Sequence, residues 1–206
     1  MASYPRYKEV EQGGVGVASN VVRWGGLAGV VAAVMWVLTA ILIVLATPQR
    51  ISFSSFSDYL LQIVLLAAYA GTPVAILGLH TLHSGSERYG GLGATDSLLT
   101  FICYAIVFVV IMVSILEGGA SLLPVRPAGA TAVLIGSILL GAMVIRARII
   151  PWWCGVLLIV AFPLGDLSNA VLEGSEGNLL GILWGLVGYA LLLRSGTVAQ
   201  QSSRVH

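Results

Sequence analysis

VRWGGLAGVVAAVMWVLTAILIVLA, residues 22–46, carries one charge, Arg23 at its second position, and none in the 23 residues that follow. As a helix rising 1.5 Å per residue it would be about 37 Å long. The hydrocarbon core of a bilayer is roughly 30 Å thick, so this one run is long enough to cross it. A cleaved signal peptide is the rival reading, because Val44-Leu45-Ala46 could pass for a cleavage site. The apolar part of such a peptide is usually about 7–15 residues, and this run is much longer. Glu9 and Glu11 also lie ahead of it. We therefore read it as a retained first span.

Outward from that run, five further stretches have similar length and composition, each bounded by charge, proline or glycine: residues 59–82, 97–116, 128–145, 152–172 and 178–193. The fourth and sixth spans are short, but their interiors carry no charge. The expected fold is all-α, a polytopic membrane helix bundle of six transmembrane helices with both termini in the cytoplasm. Five spans is the alternative. Residues 21–194 form the membrane domain in this reading, and the polar segments 1–20 and 195–206 are expected to be disordered cytoplasmic ends.

Composition agrees with the class. Of the 206 residues 58% are hydrophobic and only 9% charged, and the mean hydropathy is +0.97. Soluble domains carry about 25% charged residues. No cluster of Lys and Arg with interleaved aromatics exists, so nucleic acid is not an expected partner. The two cysteines, Cys103 and Cys154, each sit inside an apolar run and read as small buried residues, not as a disulfide or metal pair.

Orientation follows from the basic residues. With the N-terminus inside, Arg6, Lys8, Arg23, Arg88, Arg146, Arg148, Arg194 and Arg204 are cytoplasmic, and only Arg50 and Arg126 are outside. That is the bias expected when Lys and Arg set topology. Three outward-going helices also open alike, on Arg23-Trp24-Gly25-Gly26, Arg88-Tyr89-Gly90-Gly91 and Pro151-Trp152-Trp153-Cys154-Gly155. Trp and Tyr at these points read as interfacial anchors beside arginines that reach for the surface.

Small residues recur every four positions: Gly177, Gly181 and Gly185, and Ala67, Gly71 and Ala75, with Gly25 and Gly29 opening the first span. In lipid such spacing lets helix backbones approach closely. Gly177, Gly181 and Gly185 could serve packing within the chain, or a homo-oligomer or partner membrane helix, besides the lipid bilayer itself.

Polar groups inside the spans carry what functional signal there is. Asp166 lies deep in the fifth span, where an intramembrane carboxylate costs about 2.5–3.5 kcal/mol unless compensated. Asn169 and Glu173 follow at i+3 and i+7 on the same face, and Pro163 frees a backbone carbonyl one turn earlier. Glu117, Arg126 and Gln62 are expected at the same outer depth. Gln62, Tyr69, Pro73 and His80 fall within about 20° of one helix face, giving a polar stripe that runs inward. The candidate polar cavity is therefore Asp166, Asn169, Glu117, Gln62, Arg126, Glu173, Tyr69 and His80. Asp166 is either a proton or cation acceptor or a structural partner of Arg126, and the residues alone leave both open.

No GxSxG, Walker or HExxH pattern occurs, so no catalytic residue is assigned. The histidines His80 and His83 share one segment, which offers neither a convergent metal set nor a facing pair for haem. No cofactor and no metal are expected.

The segment Gly141-Ala142-Met143-Val144-Ile145-Arg146-Ala147-Arg148-Ile149-Ile150-Pro151-Trp152-Trp153 resembles small, uncharacterised multi-spanning proteins of bacterial, especially actinobacterial, membranes. The resemblance covers the last three spans and implies a plasma-membrane location without an activity. Two functions of different class follow: a non-catalytic accessory, sensor or structural membrane component, or a small-solute or proton/cation-linked transporter built on the outer cavity around Asp166.

Overall fold

The computed structural model describes residues 7–46, 55–84, 90–117, 125–171 and 175–203. They form six helices in chain order: α1 (Tyr7–Ala46), α2 (Phe56–His83), α3 (Gly90–Leu116), α4 (Val125–Ala147), α5 (Trp152–Val171) and α6 (Ser175–Ser203). Each coincides with one of the expected apolar runs, whose fifth member extends one residue, Leu172, outside the described residues. α1 and α6 extend past those runs, from Tyr7 and to Ser203, over stretches read from composition as disordered ends. A helix already nucleated by packed residues propagates at little further cost.

Local chemistry sets the ends. α2 starts at a capping box: Ser55 is extended (φ −126°, ψ 162°), its hydroxyl accepts from the Asp58 backbone N–H, and the Asp58 carboxylate accepts from the Ser55 N–H at 2.7 Å. Two amides left over at the start of the helix are thereby satisfied. At the end of α4 the chain turns at Arg148, whose backbone is left-handed (φ 56°) and whose N–H donates to the Val144 carbonyl at 3.2 Å. α5 runs through Pro163 to Val171 without interruption.

Every helix packs against its neighbours in sequence, and α6 returns to α1, so the six close into a ring. Small residues make the closest contacts. A Cβ added at Gly25 in α1 would stand 2.6 Å from the Cα of Gly78 in α2, and one at Gly188 in α6 would stand 2.7 Å from the carbonyl of Gly26. α1 is thus clasped on both sides. The pairings run in opposite senses along each partner: Gly25 meets Gly78 while Gly71 meets Ala28 and Ala32, and Gly188 meets Gly26 and Gly29 while Gly177 meets Trp36 and Ala40. Both helices therefore lie antiparallel to α1, and the start of α1 shares one end of the bundle with the far end of α6. Gly177, Gly181 and Gly185 all face α1 of the same chain. Gly141 and Gly155 bring α4 and α5 together in the same manner.

A short hydrogen bond clasps α3 to α4. The buried Thr100 hydroxyl lies 2.7 Å from the Asp96 carbonyl in its own helix and 2.9 Å from the Gly136 carbonyl across the interface. Interhelical hydrogen bonds in membrane proteins average about 0.6 kcal/mol and reach about 1.7. Thr100→Val keeps the shape and removes the donor, so it should lower stability by about 0.6–1.7 kcal/mol, read as a reduced unfolding midpoint in detergent.

Four helices contain stretches long and apolar enough to cross a membrane: Ser19–Leu45, Phe56–His83, Gly93–Val113 and Gly177–Gly196. Among the residues whose side chains are described, the other two helices contribute the apolar stretches Thr131–Ala147 and Trp152–Gly165. Large aliphatic residues cover the outside of the bundle, among them Val31, Val34, Ile41, Ile63, Ile106, Ile135 and Ile182. Such a surface is at home in lipid and would be an aggregation liability in water. The molecule is a helical bundle of membrane-embedded character.

Candidate functional site

The centre of the ring is aromatic. Trp36 from α1 meets Tyr69 from α2 edge-on, with ring centroids 5.0 Å apart. Tyr69 lies 6.1 Å from Tyr104 of α3. Tyr104 in turn contacts Phe162 of α5 at 6.3 Å and Trp184 of α6 at 6.0 Å, both edge-on. Its hydroxyl is 3.5 Å from the hydroxyl of Ser137 on α4. All six helices thus contribute to one cluster with Tyr104 at its hub. Tyr104 and Trp184 are fully buried. Edge-to-face geometry lets the positive ring edge of one partner meet the negative face of the other, worth about 0.5–1.5 kcal/mol per pair beyond area.

Two indole donors in this cluster, Nε1 of Trp36 and of Trp184, are buried without a hydrogen-bond partner among the described residues. A buried donor left unpaired costs about 1–3 kcal/mol. The rings are thus held by packing.

The residues anticipated from sequence fall at three levels. Gln62 is buried one turn after Asp58 on α2, and both belong to the end of the bundle where α2 begins. Glu117 follows α3 at that same end, exposed, its N–H donating to the Val113 carbonyl at 3.0 Å. The backbones of Arg126, Asp166 and Asn169 are helical and belong to this end as well, by the alternation of the helices. The side chains of these three, and Glu173 altogether, lie outside the described residues. Tyr69 is at mid-depth, in the aromatic cluster. His80 is half-buried near the opposite end of α2. Of the four residues of the stripe, Gln62 and Pro73 are buried, His80 is half-buried and Tyr69 packs its ring into the aromatic cluster.

Two buried polar residues, His83 and Asp58, stand outside the polar cavity expected from the sequence. His83 is 1% exposed, and its Nδ1–H donates to the Leu79 carbonyl at 2.7 Å. Asp58, also 1% exposed, is the carboxylate of the capping box. Both sit at helix ends, where a charged residue ordinarily reads as solvated. The Ser-x-x-Asp spacing of residues 55–58 was the available signal for the second. Cys103 and Cys154 are free thiols, buried as expected. Among the described residues no three His, Cys, Asp or Glu side chains group so as to hold a metal ion.

At the end of the bundle opposite Asp58 lies an open groove of about 560 Å³, lined by Ile145, Arg148, Ile150, Pro151, Trp152 and Arg194. Arg23 and Arg146 are exposed at this same end, as are Trp24 and Trp152.

Compared with protein-family models, with curated proteins and with solved structures, the chain matches none.

Proposed function

We propose that this chain is a six-span, non-catalytic membrane component, an accessory, sensor or structural subunit of a bacterial plasma membrane, with both termini in the cytoplasm. The observation that carries the reading is the mid-depth aromatic cluster. A helix ring serving as a solute path needs a polar or hydrated interior at that level, and here Trp36, Tyr69, Tyr104, Phe162 and Trp184 occupy it. Six spans are supported by the ring itself, because α4 and α5 fill the gap between α3 and α6 and reach the same depth through Ser137 and Phe162. The orientation is supported by Arg23, Arg146, Arg148 and Arg194, which all belong to the end shared by the start of α1 and the far end of α6.

A second reading, a small-solute or proton/cation-linked transporter with an outer cavity around Asp166, is favoured by one observation. Asp58 and Gln62, four residues apart on one face, are both buried at the expected outer end.

Single cysteines in a chain lacking Cys103 and Cys154 separate the two, with a membrane-impermeant thiol reagent added from either side. Glu117→Cys should react only from outside and Ser84→Cys only from inside, while Thr72→Cys, just inward of Tyr69, stays unreactive from both. Reaction of Thr72→Cys, Asp166→Cys and Asn169→Cys from outside would replace the non-catalytic reading with the transporter. Reversed sidedness at positions 84 and 117 would overturn the orientation.

A further inference from the structure

The groove between the end of α4, the start of α5 and the end of α6 combines features that interfacial anchoring alone does not require. Its two cations come from separate parts of the chain, Arg148 from the α4–α5 turn and Arg194 from α6, and border one space of about 560 Å³. The remaining described lining, Ile145, Ile150, Pro151 and Trp152, is apolar or aromatic, and no carboxylate is among the described residues that line it. Trp152 opens α5 with Pro151 just before it, so the positive end of that helix dipole lies at the groove too.

The backbone at Arg148 adds an independent observation. The residue just past a helix end in the left-handed conformation is usually glycine, which has no Cβ to clash. Here that position, φ 56°, holds an arginine. A side chain kept in a disfavoured backbone conformation points to a role for the side chain itself.

We propose that this groove seats the phosphodiester headgroup of an anionic phospholipid, with Arg148 and Arg194 facing the phosphate and Ile145, Ile150 and Trp152 against the glycerol and upper acyl region. The occupant must be amphipathic, because the cations and the apolar walls belong to the same cleft. Its place at the rim of a membrane bundle, with Trp152 64% exposed, supplies such molecules from the side. Basic pockets between helix ends on the cytoplasmic face are suited to anionic headgroups, and each cation near the surface favours binding by about fivefold.

The test is native mass spectrometry of the full chain in neutral detergent, with dioleoylphosphatidylglycerol or dioleoylphosphatidylcholine at equal concentration. Phosphatidylglycerol should be retained preferentially, and Arg148→Gly and Arg194→Gln should each lower that retention about fivefold. Arg194→Lys should keep most of it, which separates charge from the other contacts of Arg194. Arg148→Gly should also melt at or above the parent temperature, because glycine accepts the left-handed backbone, so that loss of lipid cannot be ascribed to unfolding. Equal retention of the two lipids, or retention unchanged in the double variant, overturns the proposal. So does displacement of phosphatidylglycerol by inorganic phosphate alone, which would assign the site to a free anion.

Discussion

Gly25→Leu should cost this bundle about 3 kcal/mol or more, at the upper end of what overpacking does. The nearest atoms to a Cβ at position 25 are the Cα and N of Gly78 and the carbonyl of Val74, all of them backbone. No rotamer change can make room, so α1 and α2 must separate. In lipid that separation is doubly costly. Helices are held there by dispersion at close range and not by exclusion of water, and widening a contact by an ångström forfeits much of the attraction. Gly196→Ala is the control, since nothing lies within 4 Å of a Cβ at that position and it is exposed in α6. Removing an interior helix glycine there should stabilise by about 0.5–1 kcal/mol. Unfolding of the purified variants in detergent, followed by circular dichroism, should therefore move in opposite directions. Equal midpoints for Gly25→Leu and the parent would mean that α1 and α2 are not in backbone contact.

Trp184→Ala carries the second large effect, about 3–5 kcal/mol from truncating a fully buried ring. The loss has two parts, the contacts with Tyr104 and an internal void that the rigid ring of helices closes only in part. Trp184→Phe divides them. It retains an aromatic edge for Tyr104 and removes an indole N–H that has no partner among the described residues. No hydrogen bond is lost, so Trp184→Phe should cost less than half as much as Trp184→Ala. If the two variants are equally unstable, the indole N–H is satisfied after all, and the cluster holds an acceptor.

The helices were legible in the sequence because the bilayer imposes a length rule on every span, and a run such as residues 22–46 can satisfy it in few ways. The small-residue contacts were legible as well: the glycine spacing in the sixth span and the Gly25–Gly29 pair mark surfaces that do pack closely. The aromatic cluster was not. Trp36 is 3% exposed and Tyr104 is buried while Tyr189 is 57% exposed, yet all three lie in similar apolar surroundings along the chain. In a soluble protein, water tells the two faces of a helix apart by leaving polar residues outside. Lipid is as apolar as the core, so apart from small residues the inward face of a membrane helix has no compositional mark, and a large aromatic ring can lie on either face. The Gln62 to His80 stripe shows the same limit, because helix periodicity aligned its members without revealing that Tyr69 engages through its ring.

The ring is closed by its first and last members, and that has a consequence for how the molecule is made. As helices enter the membrane in order, α1 and α2 can pair at once through Gly25 and Gly78. The other flank of α1, with Ala33, Trp36 and Ala40, waits for Gly177 and Gly181 until α6 has been synthesised. Until then that flank of α1, with Gly26, Gly29, Ala33 and Ala40, is a shallow notch of small residues facing lipid. A nascent chain halted before α6 would keep that notch.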